Sequence, residues 1–170
     1  MTAIQGDIAP RRDLGAAELC ELVARIASDP GLWLPLVRED TAERHFEQLS
    51  LDEHVGVWVI TWAHGNDTGF HDHDVSHGAV AVVRGEIVEE RLVLGGPPRR
   101  LARRAGETFG FDASHVHRMR KDDAAIAVSI HAYSPPLSRM GAYDVDADGT
   151  LLRRSIAASE ELRPAAAVAP

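Results

Sequence analysis

Cysteine is almost missing from this 170-residue chain. Its one thiol, Cys20, excludes an internal disulfide and fits a reducing compartment, so a cytoplasmic location is expected. The neighbours Leu19 and Leu22 put Cys20 on a buried helix face, which argues against a catalytic thiol. Long apolar runs are missing too. No stretch approaches the roughly 20 apolar residues of a membrane helix, and the N-terminus has no apolar run suited to a signal peptide. Positive charge is in deficit: a net charge of -8 and a pI near 5.5 leave no basic face for phosphates, so neither nucleic acid nor membrane is an expected partner. The arginines Arg99, Arg100, Arg103 and Arg104 read as cover for a solvated edge. There is no GxGxxG after a strand, no P-loop, no internal repeat and no sign of a second domain.

What is present is enough for a proper core: 45% hydrophobic residues in a chain long enough for one domain. Residues 1–12 are expected to be loose. Asp13 can cap a helix over residues 13–26, where Leu14, Leu19, Leu22, Val23 and Ile26 recur at helical spacing. Further helical segments are expected at residues 32–37 and 41–49, so residues 13–50 form a helical segment packed outside a β-domain that runs to residue 156. From Val55 the period becomes two, and residues 55–62 read as a strand buried on both faces. Gly65-Asn66-Asp67-Thr68-Gly69 is a turn. Residues 79–83 and 86–94 read as strands joined at Arg84-Gly85, where glycine can take positive φ. Residues 101–104, 107–111, 117–121 and 125–133 add short strands at the spacing of a barrel or sandwich. Residues 146–149 read as a late turn, and residues 157–170, rich in alanine and proline, as a flexible tail.

The histidines carry the chemistry. In His71-Asp72-His73 two imidazoles lie one residue apart, and on a strand they share a face, able to grip one metal ion. A third ligand comes from Ser114-His115-Val116-His117, where His115 and His117 share a face, so spacing alone leaves both open. Three neutral imidazoles suit a first-row transition metal and leave positions open for substrate or oxygen. His45, His54 and His64 read as ordinary surface histidines, and His77 as either a site residue or a structural one.

The run Gly69-Phe70-His71-Asp72-His73 with Gly85, followed by residues 106–117, resembles the two cupin motifs. The glutamate that usually follows the HxH pair is replaced by His77 and Gly78. With Ser129, His131, Tyr133, Ser134, Pro135 and Pro136 behind it, the set resembles the cysteine dioxygenase type I family, the thiol dioxygenases, over residues 62–136.

That resemblance implies an all-β jelly-roll barrel of cupin type with N-terminal helices outside, and one Fe(II) per chain held by His71, His73 and His117. It implies O2 and a small thiol, most readily L-cysteine, as substrates, with both oxygen atoms going to sulfur. Another small thiol carboxylate, a specialised thiol, or oxidation beyond the sulfinate remains open, as does a metal cupin of other chemistry: a zinc, manganese or nickel isomerase or hydrolase, or a ligand-binding protein. A monomer or small homo-oligomer is expected. The resemblance further implies a relay of Ser129, His131 and Tyr133, with Ser134 the alternative serine, and substrate contacts from Tyr133, Trp62 and a carboxylate clamp. For the clamp, Arg44 has the planar fork a carboxylate needs, and Gln48 is the weaker candidate. In the mammalian enzymes a cysteine stands at the place of Gly78 and cross-links to the tyrosine. Gly78 forbids that link here.

Overall fold

The computed structural model of the chain describes residues 8–39, 43–145 and 150–158. Its helices are α1 (Ala16–Ala27) and the short α2 (Pro30–Trp33), which runs into a 3-10 turn at Leu34–Leu36. Its strands are β1 (His45–Leu51), β2 (Gly56–Trp62), β3 (Phe70–Asp72), β4 (His77–Arg84), β5 (Glu86–Arg91) and β6 (Arg99–Arg104). They continue with β7 (Thr108–Phe111), β8 (His117–Arg120), β9 (Ala127–Ser134), β10 (Arg139–Val145) and β11 (Leu151–Ala157). Two antiparallel sheets, ordered β1-β2-β9-β4-β7 and β11-β10-β3-β8-β5-β6, form the expected jelly roll.

Alternation along the strands makes two separate apolar layers. Val57 and Val59 of β2, Ala79 and Ala81 of β4, and Val128, Ile130 and Ala132 of β9 pack against Leu19, Leu22, Val23 and Ile26 of α1. The residues between them turn the other way. Ile60, Trp62, Val80, Val82 and Tyr133 join Ile87, Phe109, Phe111 and Met119 inside the barrel. Both faces of β2 and β9 are therefore covered, which is why these strands read as nearly continuous apolar runs.

The local starts and stops differ in part from the sequence expectations. Gly15, not Asp13, caps α1, and the Glu18 carboxylate reaches back to accept from the Gly15 N–H at 3.1 Å. Asp13 instead bonds His54 Nδ1 at 2.9 Å. Pro30 sits in the first turn of α2 and begins it, with Asp29 accepting from the Gly31 N–H at 3.0 Å. Residues 45–49 are not helical. They belong to β1, which pairs with β2 and covers an edge that would otherwise leave its backbone groups open, with a bulge between Gln48 and Ser50. Among the described residues, the helical segment thus ends at Leu36 rather than near residue 50. Gly85 turns β4 into β5 with φ +71, as expected, and a β-carbon there would stand 2.8 Å from the Ile126 carbonyl oxygen. The turn expected at residues 146–149, and all but the first two residues of the expected tail, lie outside the described residues.

Arg103 corrects the expectation of a solvated arginine edge. Arg100 and Arg104 are exposed on β6, but Arg103 folds over the Phe109 ring, 4.1 Å from its centroid, and pairs with the buried Glu89 at 2.6 Å.

Helix α1 lies against β4, β7 and β9, and its seat is Gly110. A β-carbon at Gly110 would lie 2.7 Å from Cys20 Sγ and 2.9 Å from the Ala16 carbonyl oxygen, a backbone atom with nowhere to go. Gly110→Ala is therefore expected to push α1 off the sheet and lower stability by about 1–3 kcal/mol. A fall in the urea midpoint at unchanged slope is the predicted reading, and an unchanged midpoint would contradict the close seating.

Candidate metal centre

Strand pairing assembles the histidine cluster. His71 of β3 lies directly across from His117 of β8, so the two imidazoles emerge side by side on the inner face. His73, just past the end of β3, completes the group, with ring centroids 4.9 Å from His71 and 5.1 Å from His117, while His71 and His117 are 4.8 Å apart. One ligand nitrogen from each lies within 4.8 Å of the others, and all three residues are buried. His115 precedes β8 and stands outside this trio, stacked on Phe111 at 5.2 Å. His77 opens β4 opposite Ser134 and is also outside it.

The hydrogen bonds leave the trio ready to ligate. His71 Nδ1–H donates to the Gly69 carbonyl at 3.0 Å, and His117 Nδ1–H to Glu89 Oε1 at 3.4 Å, so each keeps its Nε2 lone pair. His73 has 0% exposure, yet neither ring nitrogen has a hydrogen-bond partner. A buried imidazole with nothing to bond costs free energy unless something else fills that role. A metal ion does, and the donor set fits one that accepts neutral nitrogen. Burial pushes His117 down to about 3 against the pull of Glu89, and pushes His73 well below its ordinary value. His73 and His117 are therefore uncharged near neutrality, as ligation requires.

Asp72, between the two histidines, points the opposite way and ties the cluster to its sheet. It accepts from the Gly141 N–H at 2.9 Å, the Tyr143 hydroxyl at 2.7 Å and Arg153 Nε at 2.6 Å. Burial alone would raise its carboxyl, but these donors hold it well below the usual carboxylate range.

Sequence reasoning missed Glu89. It is fully buried on β5, accepting from His115 Nε2 at 3.0 Å, Arg91 Nε at 3.0 Å and Arg103 Nε at 2.9 Å besides His117. Burial opposes its charge, yet these four donors hold it well below the usual range. Glu89, His115 and His117 also have metal-like spacing. Two guanidinium groups already balance the carboxylate, so this set acts as the support of His117. The available signal was the alternation along β5, which puts Glu89 in phase with Ile87 on the inner face.

Ser129, His131 and Tyr133 line the same interior. Ser129 Oγ lies 2.8 Å from His131 Nε2, and His131 Nδ1 is 3.2 Å from Tyr133 Oη. Burial pushes His131 down to about 3, assisted by the neighbouring His117 and Arg44. Tyr133 stacks on His73 at 5.4 Å, and Phe111 covers the other side of that imidazole at 4.5 Å. Ser134 is elsewhere, accepting from the Leu14 N–H at 2.8 Å and donating to the His54 carbonyl at 2.7 Å. Trp62 stands one layer back. Its indole N–H donates to Ser129 Oγ at 2.8 Å, and its ring lies under the Arg44 guanidinium at 5.5 Å. Arg44 is buried just before β1, whereas Gln48 is exposed on that strand. Gly78 pairs with both Tyr133 and Phe111, and a β-carbon there would overlap the Phe111 ring.

The family model described as cysteine dioxygenase type I matches residues 2–146. Among curated proteins, cysteine dioxygenase type 1 of Danio rerio is 24% identical over 77% of this chain and 71% of its own length. The Homo sapiens protein of the same name is 22% identical over 78% of this chain and 71% of its own length. Among solved structures, a Thermus thermophilus protein is similar with a TM-score of 0.53 and 16% identity, covering 61% of this chain and 93% of its own. A Klebsiella pneumoniae protein with a double-stranded β-helix domain has a TM-score of 0.51 and 18% identity, covering 59% of this chain and 80% of its own. These structures share the cupin fold. No helix among the described residues is long and apolar enough to cross a membrane.

Two predictions follow from the charges. Glu89→Gln keeps the shape but removes the anion behind His117, and metal affinity measured by chelator competition should fall roughly 10- to 100-fold; unchanged affinity would separate Glu89 from the centre. Acid should also destabilise the metal-free protein. Unfolded imidazoles take up a proton near 6.5, while His117 and His131 stay neutral in the fold down to about 3, so the unfolded state binds more protons as pH falls through that window. Each should contribute a loss approaching about 1.4 kcal/mol per pH unit. Urea unfolding between pH 6.5 and 5, above most carboxylate titration, reads this directly; flat stability there would mean the imidazoles are not held neutral.

Proposed function

The chain belongs to the cysteine dioxygenase type I family, and from that premise we propose that it is an Fe(II)-dependent thiol dioxygenase that converts L-cysteine to cysteine sulfinic acid in the cytoplasm. The observation that carries the reading is the buried trio of His71, His73 and His117, with the unpartnered nitrogens of His73 stacked against Tyr133. In the overall reaction both atoms of O2 become bonded to sulfur, and the thiol supplies all four electrons, so no reducing cosubstrate is needed. Bound iron would supply a Lewis acid and a one-electron centre at which a thiolate and O2 can react.

The protein's own groups do the rest. The three imidazoles bring no negative charge, so an anionic thiolate is favoured at the centre. Arg44, buried over Trp62 and close enough to His131 to depress its protonation, puts a fixed positive charge in the same interior and suits the carboxylate of an amino acid. Phe111, Ile60 and Val80 wall the interior with apolar surface that excludes water and strengthens these interactions. Tyr133 holds a phenolic proton beside His73, backed by His131 and Ser129. A substrate seated between Arg44 and the trio therefore meets its charge partner and its hydrogen-bond donor already in place.

The test is oxygen uptake by anaerobically Fe(II)-loaded protein on adding L-cysteine, 3-mercaptopropionate or cysteamine. Cysteine should be consumed fastest, one O2 per thiol, with sulfinate as product. Arg44→Ala should lower kcat/KM for cysteine about 10- to 100-fold, the worth of a charged hydrogen bond, and leave cysteamine, which has no carboxylate, nearly unaffected. A preference for 3-mercaptopropionate would move the substrate, and no uptake with any thiol would overturn the activity.

A further inference from the structure

Two of the three imidazoles are aimed by hydrogen bonds and the third is not. His71 donates to the Gly69 carbonyl and His117 to Glu89, and each bond fixes a ring that could otherwise turn about its Cβ–Cγ bond. That torsion has no sharp preference of its own. His73 has no hydrogen-bond partner at either nitrogen among the described residues, and no exposure to water. Its imidazole is held between two rings instead. Phe111 lies on one face, with centroids 4.5 Å apart at 30°, and Tyr133 on the other, 5.4 Å apart at 27°. Turning the imidazole out of this slot would drive its edges into both neighbours, in an interior packed too closely to give way.

We infer that Phe111 is a positioning residue for His73, its ring supplying by stacking the orientation that a hydrogen bond supplies to each of the other two imidazoles. Phe111 is itself held in place. His115 stacks on its far face at 5.2 Å and 19°, and His115 Nε2 lies 3.0 Å from Glu89 Oε1. Gly78 leaves room for its edge, where a β-carbon would overlap the ring. One chain of contacts, His73 to Phe111 to His115 to Glu89 to His117, therefore joins the supports of two imidazoles. Tyr133 closes the slot from the other side but also bonds His131, so the stacking role is read most cleanly at Phe111.

The inference rests on the trio as a metal site and not on the oxygen chemistry proposed for it. The two kinds of support act differently. An anion behind an imidazole raises its basicity, so Glu89 strengthens His117 as a donor. A phenyl ring brings no charge and no acceptor. It fixes only the direction of the imidazole lone pair, which a binding site must hold to within about 10–20°. His73 is thus the imidazole whose hold on a metal depends on packing rather than on charge.

The test loads the full chain, labelled with 15N histidine, with diamagnetic Zn(II) and sets it beside Phe111→Leu, which keeps an apolar side chain but removes the flat face. Affinity by chelator competition should fall roughly 10- to 100-fold, the worth of a residue that orients a ligand. In long-range 1H–15N spectra the His73 signals, assigned by their loss in His73→Gln, should broaden or leave their metal-bound positions while those of His71 and His117 keep theirs. Glu89→Gln should place its effect on His117 instead. An unchanged affinity in Phe111→Leu would overturn the inference, as would an equal disturbance of all three histidines, the result that a general loss of packing predicts. Should that variant fail to fold, Gly78→Ala, whose methyl meets the same ring, must disturb His73 selectively or the inference fails. The unmodified protein supplies a reading that needs no variant: the His73 ring C–H signals should be shifted upfield by the two faces that enclose them, and ordinary positions would overturn the inference. A chain that holds no Zn(II) at all would sink the metal site and this inference together. Absent oxygen uptake with the metal held would sink the proposed activity and leave the role of Phe111 standing.

Discussion

Everything at this centre depends on the alternation of side chains along β3. His71 and His73 turn inward while Asp72 turns outward to Gly141, Tyr143 and Arg153, so a tripeptide presents two imidazoles inside and is held from outside. Without the outward grip, a three-residue strand would have little to fix the angle of its imidazoles. The cross-strand pair His71 and His117 then follows from register, because antiparallel partners directly opposite one another present side chains to the same face.

Charge is arranged around the cluster rather than within it. The three imidazoles include no anion, and the carboxylate sits one layer back, at Glu89, where Arg91 and Arg103 keep it ionised despite burial. The order matters for affinity as well as stability. A carboxylate behind a ligating imidazole raises its basicity without occupying a coordination position, and so leaves room for substrate. On the opposite wall, Trp62 links the cationic side, Arg44, to the hydrogen-bonded side, Ser129 and His131. Charged and hydrogen-bonded groups therefore back the interior on both sides, with an apolar lining between.

Residue pattern made the barrel legible, since β2 and β9 announce themselves by apolar runs and the histidines by spacing along strands. Residues 45–49 misled because Phe46 and Leu49 sit at helical as well as strand-compatible intervals, and only the open edge of β2 decides between them. His115 and His117 could not be separated by period, because register with β3 is a non-local fact. Arg103 and Glu89 were obscured for a related reason. A charged residue reads as solvated until its partner is known, and here the partner lies on the next strand, with Ile87 opposite Arg103 in the ladder.

The space beside Gly78 is taken by an aromatic ring. Phe111 fills it, lying against His73 on one side and His115 on the other, while Tyr133 stands across the strand pair. Positions 78 and 111 thus share one volume: a side chain gained at the first must displace or replace the ring at the second. A side chain reaching from position 78 toward Tyr133 would therefore compete with the ring that walls His73.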